Sequence, residues 1–145
     1  MTFVEAARTY VGVPWKHLGR TRKGLDCAGL PVVAAADIGK PVPDVARYGR
    51  NPFQDGLTKA VEKALGRAVW TGKKGSCELS FLEVGDVVMM SPASLPRHLA
   101  IVGDDPLYGL SLLHADGSPG VGKVVEHGLS EYFLKMIVAV YRRDV

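Results

Sequence analysis

The residues best suited to chemistry in this chain are one cysteine and two histidines, each beside an apolar segment. Cys27 follows Asp26 and precedes the apolar run 28–36, which predicts a buried helix. Asp26 is then placed to cap that helix, and Cys27 lies in its first turn, where the helix dipole stabilises a thiolate. Pro31 is tolerated only in a first turn, so we expect the regular helix to start near Leu30. The sequence thus predicts a nucleophilic Cys27 with a depressed pKa, against the alternative of a buried structural thiol.

A nucleophilic cysteine needs a base and a polar group that orients the base. His98 heads the apolar segment 98–103, and His114 lies near the end of the next strand-like segment. Two adjacent antiparallel strands would bring these histidines side by side. Asp116 is an alternative orienting group, because a spacing of two residues puts it on the same strand face as His114. His127 is given no role.

The surrounding pattern predicts helices first and strands afterwards. We expect helices near 2–10, 28–38 and 54–65, an irregular segment at 40–53, and strands near 86–90, 98–103, 109–115, 122–126 and 136–142. This order predicts one α+β domain over residues 1–145, with N-terminal helices packed on a mostly antiparallel sheet. The helix behind the cysteine would then aim Cys27 at the histidines.

In this order and at these separations, the motifs resemble the NlpC/P60 family of papain-like cysteine peptidases. The matching blocks are 10–19 (YVGVPWKHLG), 24–30 (GLDCAGL), 84–88 (VGDVV) and 98–102 (HLAIV). The resemblance covers nearly the whole chain and implies a papain-like fold. It also implies hydrolysis of amide bonds in peptidoglycan stem peptides, typically next to D-glutamate. By this match Cys27 is the nucleophile, His98 the general base and His114 the orienting residue of a Cys-His-His triad.

One position departs from the family pattern. Trp15 stands twelve residues before the cysteine, where the family usually has a tyrosine whose hydroxyl helps to build the site. An indole N–H donates a hydrogen bond but cannot accept one, so the substrate pocket is expected to differ. The resemblance and the loop sequence together give Trp15, Asp26, His17, Arg20 and Arg22 as pocket residues. The two arginines would attract stem-peptide carboxylates, with a solvated basic loop as the alternative.

Composition is that of an ordinary globular enzyme domain. The 145 residues are 47% hydrophobic and 23% charged, with a formal net charge of +3 that is too small and scattered to indicate nucleic-acid binding. Two cysteines make no disulfide framework, and Cys77, in a polar stretch, is read as incidental. No metal-ligand spacing or cofactor motif is present, so neither a metal nor a cofactor is expected.

The N-terminal residues do not show the pattern of a signal peptide, and no apolar run is long enough to span a bilayer, so we expect neither element. A wall-cutting enzyme of this kind is expected to be carried to its substrate, and residues 14–20 and 43–50 resemble the phage-tail branch of the family. We therefore expect a virion tail-tip protein that docks on other tail-tip proteins through Pro41–Phe53. Alternatives are a mainly structural tail subunit with a weak site, a lysis enzyme, or a thioesterase or acyltransferase. That last pair would need an apolar groove or a membrane segment, which the sequence does not indicate.

Overall fold

The computed structural model describes residues 1–44, 57–92, 98–107 and 109–143. Its helices are α1 (Phe3–Arg8), α2 (Gly29–Asp37), α3 (Leu57–Leu65) and α4 (Glu131–Leu134), with a 3₁₀ turn at Leu79–Phe81. Its strands are β1 (Arg20–Thr21), β2 (Gly24–Leu25), β3 (Trp70–Thr71), β4 (Val87–Met90), β5 (His98–Asp105), β6 (Gly109–Asp116), β7 (Lys123–Gly128) and β8 (Ile137–Tyr141).

Six strands form one antiparallel sheet in the order β3-β8-β4-β5-β6-β7, and β1 pairs with β2 in a small hairpin. The α+β class with an antiparallel sheet is confirmed, and all five expected strands are present. The short elements β1, β2, β3 and α4 were not expected. Most of the segment Pro41–Phe53, proposed as a docking surface, lies outside the described residues. No helix in the described ranges has the length and apolar character needed to cross a bilayer.

Strand alternation divides the buried residues between the two faces of the sheet. Leu99 and Ile101 of β5 pack in the same apolar cluster as α1, α2 and α3. Ala100 and Val102 point the other way and belong to a second cluster, which also contains Cys77. By this alternation His98 shares the face of Ala100, away from the three helices. Cys27, in contrast, belongs to the cluster on the helical face.

Helix α2 begins at Gly29, three residues after Asp26, and Pro31 explains this later start. The N–H of Leu30 donates to the Asp26 carbonyl at 3.3 Å, which is already a helical bond. Pro31 has no N–H to donate, so the next helical bond comes from Val32 to Ala28, at 3.4 Å. The backbone at Cys27 therefore turns into the helix before the regular pattern begins.

The glycine two residues after the cysteine is required by close packing rather than by its backbone angles. A Cβ at Gly29 would lie 2.3 Å from the carbonyl oxygen of Gly19, in the loop before the cysteine. Gly39 is different: its φ of +73° closes the C-terminal end of α2, and a Cβ there would meet nothing within 4 Å. Gly29 therefore lets the loop and the helix that flank Cys27 approach each other.

We expect Gly29→Ala to destabilise the fold by about 3 kcal/mol or more, because a backbone carbonyl would have to move. The matched variant Gly39→Ala should cost only roughly 1–2 kcal/mol, the strain of a left-handed alanine. Urea unfolding followed by circular dichroism measures both. A Gly29→Ala protein as stable as Gly39→Ala would contradict the close-packing role.

Candidate active site

A cavity of about 580 Å³ opens where the start of β5 meets the start of α2. Its size falls in the range of small-molecule sites. The described residues that line it come from the loop before α2, from β4, β5 and β6, and from the region of α4: Trp15, His17, Asp26, Cys27, Met90, Pro92, His98, His114, Asp116, Gly117, Ser118, Tyr132, Phe133 and Met136. The three residues expected to form a triad, Cys27, His98 and His114, all line this one cavity.

The buried carboxylate of Asp26 ties the cysteine segment to the loop before it. One oxygen accepts the Gly29 backbone N–H at 2.8 Å and an Arg20 guanidinium N–H at 2.9 Å. The other accepts the Leu18 backbone N–H at 2.8 Å. Leu18 has a φ of 60°, an unusual conformation for leucine that this bond helps to hold. The N-cap position of α2 is Ala28, which has no side-chain cap, rather than Asp26 as the sequence predicted. Asp26 nevertheless binds the N–H of Gly29, the first residue of α2, and fixes the loop that carries Trp15 and His17.

Cys27 is buried, and its surroundings act against the charge that the sequence predicted. Burial raises the pKa of its thiol to about 12, and the nearby Asp26 carboxylate acts in the same direction. The backbone N–H of Leu99, next to His98 in β5, hydrogen-bonds the sulfur and opposes that rise, as does the Arg20 charge. The prediction of a depressed pKa was therefore wrong for this structure, because burial outweighs the favourable dipoles at the helix start.

His98 and His114 form the expected pair. His98 Nε2 lies 2.7 Å from His114 Nδ1, and the rings meet edge to face. Burial lowers the pKa of His98 to about 4, with Asp116 opposing the shift. Burial, together with the neighbouring histidines, lowers the pKa of His114 to about 3. Asp116, the alternative orienting group, instead accepts a hydrogen bond from the Ser118 backbone N–H at 2.9 Å.

A third histidine, His127, contacts the His98–His114 pair, although the sequence pattern gave it no role. His127 Nε2 lies 2.7 Å from His114 Nε2, so three of the four histidines form one chain of contacts. A zinc ion needs about 2.0–2.1 Å to each nitrogen ligand. Two facing nitrogens only 2.7 Å apart therefore leave no room for a zinc ion between them. Across the described ranges, no cluster of His, Cys, Asp and Glu side chains is arranged to hold a metal.

Trp15 forms one wall of the cavity beside the turn that follows β6. Its indole packs so closely on Gly117 that a Cβ there would lie 2.8 Å from the ring. Its backbone N–H donates to the Gly122 carbonyl at 2.9 Å, which ties the loop to the β6–β7 turn. The ring is 37% exposed, so it shapes the mouth of the cavity rather than its buried interior.

No protein-family model and no curated protein sequence matches the chain. Solved structures do. The NlpC/p60 domain of the peptidoglycan hydrolase SagA matches with a TM-score of 0.59 at 18% identity, over 97% of this chain and 95% of that one. The P60 domain of the M. avium subspecies paratuberculosis antigen MAP1204 matches with a TM-score of 0.57 at 18% identity, over 97% of this chain and 90% of that one. The chain has the NlpC/P60 fold.

Arg20 and Arg22, which were expected in the substrate pocket, contact other parts of the chain. Arg20 makes ion pairs with Asp26 and with Asp44, both at 2.9 Å. Arg22 donates to the Thr9 carbonyl at 2.8 Å and stacks over the Tyr10 ring, 4.1 Å from its centroid. Neither arginine is among the described residues that line the cavity with Cys27, so the expected placement in the pocket is not found. Their attraction of substrate carboxylates stays a prediction. Loop residues close in sequence to a site can point away from it, because their contacts with other segments decide where they lie.

Because burial raises the pKa of the Cys27 thiol, its rate of alkylation should depend on pH in a characteristic way. Below its pKa, the thiolate fraction of Cys27 increases about tenfold per pH unit, and alkylation follows the thiolate. The rate at which iodoacetamide modifies Cys27 should therefore keep rising from pH 6 to pH 9. Peptide mass spectrometry separates Cys27 from Cys77, and the urea-unfolded chain gives the rate of the exposed thiols. A plateau at Cys27 below pH 7 would show a depressed pKa and contradict this description.

Proposed function

We propose that the protein is a cysteine-type peptidase that hydrolyses amide bonds in peptidoglycan stem peptides. The observation that carries the proposal is that Cys27, His98 and His114 line one cavity, with a 2.7 Å contact between the two histidines. Two further facts support it: the motif order of the sequence, and the description of one structural neighbour as a domain of a peptidoglycan hydrolase. Cys27 is the nucleophile, His98 the general base and His114 the residue that orients the base.

The first half of the reaction is acyl transfer to sulfur. Cys27 Sγ attacks the amide carbonyl carbon while its proton passes to His98, whose Nδ1 is the nitrogen not engaged by His114. Since burial disfavours both charges before substrate binds, the proton moves as the sulfur attacks rather than beforehand. This differs from the depressed Cys27 pKa that the sequence predicted, which would give a thiolate before the attack. The C–N bond then breaks, and the amine leaves with the proton that His98 returns.

The second half restores the enzyme. Water attacks the thioester carbonyl while His98 accepts a water proton, and the carboxylic acid is released as Cys27 regains its proton. In both halves negative charge develops on the carbonyl oxygen and requires fixed donors. The backbone N–H of Cys27, at the start of the α2 turn, is the donor we propose for this oxyanion. His114 holds the His98 ring in the orientation that serves both proton transfers.

The cavity also suits a peptide better than a long acyl chain. Its described lining mixes polar side chains, such as His17 and Asp116, with aromatic ones, such as Trp15 and Tyr132. A fatty acyl substrate would favour an extended apolar lining instead. Among the described lining histidines, His17 lies outside the His98–His114 pair, so it is the candidate to meet a stem-peptide carboxylate.

Activity of point variants on purified peptidoglycan tests these roles. Cys27→Ala should abolish release of stem-peptide products, and His98→Ala should come close to that. His114→Ala should lower the rate by roughly 10²–10⁴, because it orients the base without exchanging protons with substrate. The matched control Cys77→Ala removes a thiol from the opposite face of the sheet and should retain activity. A silent His114→Ala beside a crippled Asp116→Ala would contradict the assignment of the orienting residue.

We further propose that the protein acts at a phage tail tip, where the particle brings it to the cell wall. The support is the sequence resemblance of residues 14–20 and 43–50 to the phage-tail branch. Docking through Pro41–Phe53 is part of the same proposal.

Mass spectrometry of purified particles should find the protein at a low, constant copy number per particle. Its absence from particles, with the protein only in the lysate, would contradict the tail-tip role and favour a lysis enzyme. Presence in particles without hydrolysis of peptidoglycan would favour a structural subunit.

A further inference from the structure

The chain of contacts from His98 through His114 to His127 ends at the Gly128 carbonyl, which can only accept a hydrogen bond. His127 Nδ1 lies 3.0 Å from the Gly128 carbonyl oxygen, and a carbonyl oxygen has no proton to donate. His127 must therefore carry its proton on Nδ1. Because a neutral imidazole has a single N–H, His127 Nε2 is then an acceptor and faces His114 Nε2 at 2.7 Å.

The same donor–acceptor reasoning assigns the N–H positions of His114 and His98. His114 must donate from Nε2 to His127, which leaves His114 Nδ1 as an acceptor. His98 Nε2, at 2.7 Å from that nitrogen, must then be the donor. His98 Nδ1 is left with the lone pair that a base requires. The assignment takes all three rings as neutral. Burial favours the neutral form of two of them, because it lowers the pKa of His98 to about 4 and that of His114 to about 3.

Strand register and one aromatic ring hold the third histidine in place. Leu112 pairs with His127 and His114 with Val125 across β6 and β7, so the two histidines are diagonal neighbours on one face. Phe133 of α4 packs on His127 with ring centroids 4.4 Å apart. His127 is not among the residues that line the cavity, so its effect on substrate passes through His114.

We propose that His127 is a positioning residue that fixes the direction of this hydrogen-bond chain, so that His98 presents an unprotonated Nδ1 toward Cys27. This inference rests on the proposed function for its catalytic meaning. When His98 accepts the thiol proton at Nδ1, its Nε2–H stays bonded to His114. The three N–H groups, all oriented toward the Gly128 carbonyl, then stabilise the positive charge on His98 without passing a proton on.

Histidine-labelled nitrogen NMR of the intact protein at neutral pH tests the assignment without any activity. The expected pattern is Nδ1–H for His127 and Nε2–H for both His114 and His98. A wild-type spectrum with His98 protonated at Nδ1 would overturn the proposal, whatever the variants do.

Two variants then separate positioning from packing. His127→Leu removes the acceptor; we expect mixed tautomers at His98 and a kcat about tenfold or more lower, with KM little changed. His127→Gln places an amide oxygen near the position of Nε2 and should restore both the His98 tautomer and most of kcat. A His127→Leu protein with unchanged tautomers and kcat within about twofold of wild type would contradict the role. If the wild type does not cleave peptidoglycan, the proposed function fails, while the tautomer pattern still decides this inference.

Discussion

The site depends on one buried carboxylate. Asp26 accepts hydrogen bonds from Leu18, Gly29 and Arg20, and so joins the loop before the cysteine to the start of α2. Replacing it with an apolar residue would leave two backbone N–H groups and a guanidinium group without this acceptor. The position of Cys27, one residue later, follows from these contacts. Gly29 completes the arrangement, because only a glycine lets the Gly19 carbonyl approach α2 this closely.

The second constraint is that the proposed nucleophile and base, Cys27 and His98, lie where charges are unfavourable. Cys27 lies in the apolar cluster under the helices, whereas strand alternation puts His98 on the opposite face of the sheet. Both residues line the cavity at the start of β5. Burial therefore favours the neutral form of both groups, because it raises the pKa of Cys27 and lowers that of His98. A neutral histidine has a defined direction as a hydrogen-bond partner, so the order of donors and acceptors behind His98 becomes as important as its position. In this fold that order begins at the Gly128 carbonyl.

Much of this arrangement could be predicted because its signals are local. The apolar run after Cys27 and the alternating segments that begin at His98 and end near His114 predicted the helix, the strands and the pairing of the two histidines. The parts that were missed depend on contacts between distant segments. The pKa of Cys27 reflects burial by surrounding elements. The ion pairs of Arg20 and the contacts of Arg22 with Thr9 and Tyr10 reflect the path of one loop. His127 was missed because the predicted strand ended at 126, whereas β7 continues to Gly128 and its register sets His127 diagonal to His114. The available signal was the alternation of residues between the two faces of this strand, which puts Val125 and His127 on one face and Val124 and Glu126 on the other.

The central claim, acyl transfer through Cys27, is tested most directly by weighing the intermediate. Purified peptidoglycan fragments are mixed with the protein, the reaction is stopped with acid within the first turnovers, and the peptides are mapped by mass spectrometry. The account predicts an added mass on the peptide that contains Cys27, equal to a stem-peptide acyl group and removed by hydroxylamine as a thioester would be. An acyl group on Cys77, or hydrolysis that proceeds in a Cys27→Ala protein, would contradict it.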